Sequence, residues 1–218
     1  ENILSQVQEA IEIILQAQRS WMYLESIFAS SEDIRKQLQD EATQFDEAND
    51  SWKKNMTDIY RNCKLLQSFD VQEVNSPKIV LKKSSQIIKN MLMIIKILDN
   101  VQKSLEDYLE LKRSQFPRFY FLSNEELLEI LAQARNPLAV QPHIKKCFDG
   151  IKELEMETKN GQTVALGLFG LCNEYVPFKQ QVNCSQAVEG WLNQVESIMR
   201  LTLKDMIVRC FQNFVEDK

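Results

Sequence analysis

The chain has 218 residues, 44% of them apolar, with only five glycines and five prolines, so it can bury a core and has too few turn residues for a loop-rich fold. Its 31 acidic and 26 basic residues leave a net charge of -5 spread along the sequence, which provides no basic stripe for a phosphate backbone and excludes nucleic acid as an expected partner. Five widely spaced cysteines and one histidine lack zinc-site spacing, and no apolar run approaches the ~20 residues that cross a bilayer, so a cytosolic chain with reduced thiols, no metal site and no membrane span is expected.

Ile3, Val7, Ala10, Ile14, Ala17, Trp21, Leu24 and Phe28 alternate steps of four and three and predict a first helix of about 28 residues. The stripe is already in helical phase at Glu1, which is not a methionine, so the chain is expected to be a piece of a longer one. Ser30 or Ser31 ahead of Glu32 and Asp33 caps a second long helix, with a stripe of Phe45, Ala48, Trp52, Met56, Ile59, Cys63 and Leu66. The segment from Asp70 to Pro77 breaks the pattern, and Ser76 before Pro77 suits the start of a third. Val80, Ser84, Ile87, Met91, Ile94, Leu98, Val101, Leu105 and Tyr108 keep heptad steps through about 35 residues, roughly 50 Å of helix. Ile88, Leu92, Ile95 and Leu109 widen this stripe beyond a two-stranded seam, so several neighbours within one chain are expected.

Pro117 ends that helix, and the aromatic run FPRFYFLS from Phe116 to Ser123 predicts a short buried strand. Ser123 and Glu126 stand at N-cap and N3 spacing with Leu122 and Leu127 as a staple, so a helix begins near Asn124. Pro137 stops it; a shorter helix carries Val140, Ile144, Cys147 and Phe148, and Gly150 closes it. Between Ile151 and Val182 the period changes to two: Leu154, Met156 and Thr158 alternate with Glu153, Glu155 and Glu157, Asn160-Gly161 supplies a type I′ turn, and Val164, Leu166 and Leu168 continue. A third strand holds Tyr175 to Gln181, with Pro177 confining it to an edge. Val188, Leu192, Val195, Met199, Met206, Cys210 and Phe214 restore helical spacing. The predicted fold is mostly α: an elongated antiparallel helical bundle over 1–115, then a smaller α+β subdomain over 116–218, with a short strand, two helices and a three-stranded antiparallel β-meander inserted before the last helix.

Chemistry is sparse in this sequence. No glycine sits four residues before a Gly-Lys-Ser/Thr, so no P-loop is present. His143 has no recognisable Ser or Cys partner and reads as a structural histidine. Glu153, Glu155 and Glu157 read as the solvated side of a strand rather than a cation site. Trp21, Trp52 and Trp191 lie on apolar stripes and read as core; Arg113 and Arg118 flank the Pro117 break and are expected to pair with neighbouring acids, an exposed pair being worth only about 0–1 kcal/mol, and are not site candidates. No catalytic, cofactor-binding or metal-ligating residue is expected. The segment from Ile151 to Val182 is the candidate docking face, because Phe169, Tyr175 and Phe178 crowd a stretch with an unpaired edge. Burial of those rings against the rest of the chain is the alternative.

The stretch YLELKRSQFPRFYFLSNEELLEIL, Tyr108 to Leu131, resembles the signature of the dynein heavy chain linker, and the likeness continues through NPLAVQPHIKKCFDGI, Asn136 to Ile151, and GWLNQVESIMRLTL, Gly190 to Leu203. Trp21, Leu24, Ile27, Phe28, Asp33, Ile34, Gln37, Leu38, Glu41 and Phe45 extend it over nearly the whole chain. Two positions depart: Gln39 stands where the family usually has proline, and FGLCNE, Phe169 to Glu174, replaces a serine-containing acidic-glycine-acidic turn of which only Glu174 remains. The wording of the core motif is closer to axonemal than to cytoplasmic heavy chains. The resemblance implies a mechanical segment that arches over the AAA+ ring of the same heavy chain and passes ATP-driven movement to the tail; a monomeric fragment is expected. It implies a cytoplasmic location in the ciliary or flagellar axoneme, with catalysis confined to the ring. A helical scaffold or tethering module not coupled to an ATPase is the competing reading, and P-loop modules beyond Lys218 would separate the two.

Overall fold

In the computed structural model, which describes residues 2–29, 31–61, 71–72, 80–81, 86–133 and 136–216, the first apolar stripe folds into helix α1 (Asn2–Phe28). Val7, Ala10, Ala17, Leu24 and Phe28 are buried along it. Ser31 caps helix α2 (Glu32–Gln37) by accepting the Ile34 N–H at 3.2 Å. Helix α3 (Gln39–Arg61) then buries Phe45, Ala48, Trp52 and Asn55. The second helix is therefore not continuous as expected: Leu38, with φ -119° and ψ 61°, breaks it. Its N–H still bonds the Ile34 carbonyl and its carbonyl already serves Ala42, so one residue closes α2 and opens α3 with little loss of backbone bonding. The Cys63 and Leu66 end of the expected stripe lies outside the described residues.

Ring pairs fix how α1 meets α3. Trp21 stacks on Trp52 with centroids 5.7 Å apart, and Phe28 stacks on Phe45 at 5.3 Å. Ascending numbers on α1 pair with descending numbers on α3, so the two run antiparallel. Ala10, Ala17 and Ala48 carry almost no exposed surface.

The long helix expected from Pro77 begins later. Val80–Leu81 (β2) pairs antiparallel with Val71–Gln72 (β1), Val71 opposite Leu81 and Gln72 opposite Val80. The run Ile79-Val80-Leu81 is β-prone, and that local preference prevails over the heptad spacing. Helix α4 spans Gln86–Gln115; the Ser76-Pro77 cap lies outside the described residues. Met91, Ile94, Leu98, Val101 and Leu105 are buried on it, Ile88 packs on the Val7 and Ala10 cluster, and Asn90 Nδ2 donates to Asn55 Oδ1 at 3.0 Å. Two compact units, Glu1–Glu106 and Asp107–Lys218, divide the chain.

The second unit contains one misread element. FPRFYFLS is not a strand: Pro117–Phe121 is a 3-10 helix, with Phe119 N–H bonded to the Phe116 carbonyl and Leu122 N–H to the Phe119 carbonyl, each at 3.0 Å. Proline at its first position presets φ for a helical turn, and burial follows an i, i+3 pattern, with Phe116 and Phe119 inside and Tyr120 and Phe121 outside. No neighbouring strand is available to pair with it among the described residues. Helix α5 (Asn124–Ala132) opens with the expected capping box: Ser123 Oγ accepts the Glu126 N–H, and the Glu126 carboxylate accepts the Ser123 N–H at 3.1 Å. A second 3-10 turn (Pro137–Val140) leads into α6 (Gln141–Cys147).

Strands β3 (Ile151–Lys159), β4 (Gln162–Gly170) and β5 (Tyr175–Asn183) form the meander in the order β3-β4-β5. The β3–β4 hairpin closes through Asn160 and Gly161 at φ 52° and 77°, the left-handed pair that a type I′ turn requires. Leu154, Leu168, Phe178 and Val182 are buried on one face, where β3 packs on α6 and β5 on the last helix, α7 (Val188–Glu216). Trp191, Leu192 and Val195 of α7 are buried there too.

Candidate docking surface

The meander splits the three predicted rings between its faces. Tyr175 and Phe178, three positions apart on β5, stand on opposite sides of the local pleat, and the strand's burial falls at Phe178 and Val182. Phe178 is 9% exposed and belongs to the core, whereas Tyr175 is 43% exposed. Phe169 and Tyr175 are direct partners across β4 and β5, and their rings meet at 5.1 Å between centroids with planes 39° apart. Glu153 is opposite Phe169, so one cross-strand row reads Glu153, Phe169, Tyr175, and the next reads Glu155, Gly167, Pro177.

Gly167 explains how the tyrosine ring lies flat. A methyl group at that position would stand 2.6 Å from Tyr175 Cε2 and 2.7 Å from the Val176 carbonyl oxygen, closer than carbon atoms tolerate. The bare glycine is thus a seat for the ring. The Tyr175 hydroxyl donates to the Glu155 carboxylate. That bond, more than burial or charge, raises the phenol pKa above its ordinary value. Glu157 pairs with Lys159 at 2.8 Å, and Lys152 donates to Asn173 at 2.7 Å. The acids predicted to form a plain solvated face are therefore partly engaged, Glu155 in holding the aromatic pair. The surface offers an aromatic pair framed by carboxylates, suited to a partner with an apolar knob and a neighbouring cation.

The edges of the sheet are less open than the sequence implied. On β3, Gln141 Nε2 donates to the Leu154 carbonyl at 2.6 Å and its Oε1 accepts the Leu154 N–H at 3.0 Å. On β5, Pro177 has no N–H, and the Lys179 N–H is taken by Thr202 Oγ1 at 3.2 Å. Side chains from α6 and α7 thus occupy backbone groups that an added strand would need, which favours docking through the face over strand addition.

His143 is buried, with Nδ1 3.9 Å from Glu126 and Nε2 3.4 Å from Glu129. Cys147 stands one turn further along α6, but burial pushes its thiol up to about 11, which keeps it protonated and a poor nucleophile. No group of three or more His, Cys, Asp or Glu is placed to hold a metal among the described residues, and none of their helices is long and apolar enough to cross a membrane. Arg118, expected to pair with an acid at the surface, does pair with one but is half-buried: its guanidinium lies 4.8 Å from the Phe148 ring centroid and donates to the Cys147 carbonyl at 3.0 Å and to Glu196 at 3.1 Å. Its position after Pro117, among aromatic residues with the potential for cation–π contact, was the available signal.

The sequence matches the family described as dynein heavy chain, N-terminal region 2, over residues 1–210. It is 45% identical over 215 residues to the dynein-1-beta heavy chain of the flagellar inner arm I1 complex from Chlamydomonas reinhardtii, covering 97% of this chain and 4% of that protein. It is 46% identical over 213 residues to dynein axonemal heavy chain 2 from Homo sapiens, covering 96% of this chain and 4% of that one. Similarity to dynein axonemal heavy chain 3 from Homo sapiens is 40% over 210 residues, covering 95% and 5%. The chain therefore spans about one twentieth of the length of these relatives.

Proposed function

This chain belongs to the dynein heavy chain family, in its N-terminal region 2, and from that premise we propose that it is a mechanical linker segment of a dynein motor. In this reading it bends over the AAA+ ring of its own heavy chain and passes ATP-driven movement to the tail in microtubule-based motility. The ring supplies catalysis, and the segment needs no cofactor of its own. The axonemal names of its relatives support a place in the ciliary or flagellar axoneme. The observation that carries the reading is the match to this one region over 210 of 218 residues. Helices of 27, 23 and 30 residues with continuous buried stripes support it, because packed helices move as bodies where loose loops would absorb a displacement.

The test is a distance measurement in the full-length heavy chain, with a fluorescent donor at the exposed Lys103 and an acceptor on the ring. Energy transfer should differ between nucleotide-free and ATP-bound states. Equal transfer in every state would refute the lever.

The Phe169–Tyr175 pair is the part of this segment best suited to touch the ring. Phe169→Ser with Tyr175→Ser in the intact motor should slow microtubule gliding about tenfold, as expected when an aromatic contact of ~1.4 kcal/mol or more is lost. Phe178, in the core, is left unchanged so that the sheet still folds. Unaltered gliding by a folded variant would remove this face from the mechanism.

A further inference from the structure

At Pro117 the chain leaves α4 for the 3-10 turn. Four polar contacts hold the residues on either side of this break. On α7, Glu189, Asn193 and Glu196 follow i, i+4, i+7 spacing and share one face. Opposite them, Lys112 Nζ lies 2.6 Å from Glu189 Oε1, Asn193 Nδ2 donates to the Gln115 carbonyl at 2.9 Å, and Arg118 Nε donates to Glu196 at 3.1 Å. The fourth contact spans the turn itself: Arg113 Nη2 donates to the Leu122 carbonyl at 3.3 Å and to Asn124 Oδ1 at 2.7 Å.

Each contact also satisfies another group. Gln115 ends α4, so Asn193 takes a carbonyl that the helix leaves without an internal partner. Arg118 does the same for Cys147 at the end of α6. The Lys112 and Glu189 side chains are each only 12% exposed, and the Lys112 ammonium sits 5.5 Å from the centre of the Tyr108 ring. The Arg118 hydrogen bond holds the Glu196 carboxyl below its ordinary range. Beneath the ladder, Phe116 and Phe119 are fully buried and meet edge to face at 4.9 Å.

We propose that this ladder makes the turn at Phe116–Leu122 a rigid elbow, so that the end of α4 and the first half of α7 move as one body and the lever bends elsewhere. Lys112, Arg113, Arg118 and Asn193 are then positioning residues, a role that rests on the linker reading for its use but not for its rigidity. A turn that served as a hinge would need contacts that exchange between two arrangements. Here Lys112 pairs with a mostly buried Glu189, and Asn193 and Arg118 take helix-end carbonyls, so breaking these contacts leaves such a group without that partner.

The test is hydrogen exchange in the full-length heavy chain over residues 107–122 and 188–200, with and without ATP, beside gliding velocity and ATP turnover. The wild type should keep both stretches equally protected in every nucleotide state. Lys112→Met should speed exchange in both together by about 30-fold, since one partner of a mostly buried charge pair is orphaned, and should reduce the distance travelled per ATP hydrolysed. Lys112→Arg should restore both. Where Lys112→Met fails to fold, Asn193→Ala removes only the neutral bonds to the Gln115 and Glu189 carbonyls and should loosen the last turn of α4 by about fivefold. Nucleotide-dependent loosening of 107–122 in the wild type would overturn the elbow, as would Lys112→Met or Asn193→Ala folding without any gain in exchange. Loosening by Lys112→Met with travel per ATP unchanged would uphold the elbow and count against the lever.

Discussion

Phe116→Ala lowers the unfolding free energy of the unit that holds it by about 3–5 kcal/mol, and Phe119→Ala does the same. Both rings are fully buried, they meet edge to face, and Phe116 also lies 6.1 Å from Phe148. Loss of transferred area and the cavity left behind dominate; the directional ring contact adds only about 0.5–1.5 kcal/mol. Against a total of roughly 5–15 kcal/mol for a domain, either change removes a large fraction of stability. Tyr120→Ala, at an exposed ring, should stay within about 0.5 kcal/mol. Urea unfolding of the three variants checks this. The comparison also discriminates between conformations: a strand would place Phe116 and Tyr120 on one face and Phe119 on the other, so a mild Phe119→Ala beside a severe Tyr120→Ala would contradict the 3-10 turn.

That turn shows where local reading of the sequence stops. Aromatic residues favour strands because they pack well on a pleated surface, but a strand needs a partner to take its backbone bonds. Nothing in a single segment says whether such a partner exists. Val80 is the reverse case: heptad spacing points to helix, and the strand that pairs with it lies elsewhere in the sequence. The capping box at Ser123 and the Asn160-Gly161 hairpin were legible because each closes within a few residues, its donors and acceptors all present in the motif. Stripes on α1, α3 and α4 were legible for a related reason: burial repeats along an element whatever it packs against.

The candidate surface was legible only in part. Composition and alternation drew attention to Phe169, Tyr175 and Phe178, yet bulges near Glu155 and between Ala165 and Gly167 alter the register. Which rings become neighbours depends on that register, so the pairing of Phe169 with Tyr175 could not be read in advance. The ladder at the elbow was less visible still. Lys112 and Glu189 are 77 positions apart, as Arg118 and Glu196 are 78 apart, and charges so distant carry no local mark of their pairing. Gln141 is a similar case: its amide meets both backbone groups of Leu154, 13 positions on, and only the fold makes it an edge cap.

Trp52→Ala is expected to cost the other unit about 3–5 kcal/mol, while Trp52→Phe costs less than half as much. Trp52 is 5% exposed and stacks on Trp21 with planes 23° apart. Trp21 is only partly buried, and its Nε1–H reaches Asn49 Oδ1 at 3.0 Å, so its ring is held in place for the stack. Denaturant unfolding of Trp21→Ala, Trp52→Ala and the double variant should reveal a coupling of about 0.5–1.5 kcal/mol. Simple additivity, with Trp52→Ala below about 1 kcal/mol, would mean that the rings are not a packed pair. The consequence goes beyond one contact, because Trp21 to Phe28 on α1 and Phe45 to Trp52 on α3 are both steps of seven residues. The two stacks therefore lie two helical turns apart on each helix. Sliding α1 past α3 by a single turn would break both stacks. A segment proposed to carry load needs its helices fixed along their length, and these paired aromatic rings supply that resistance.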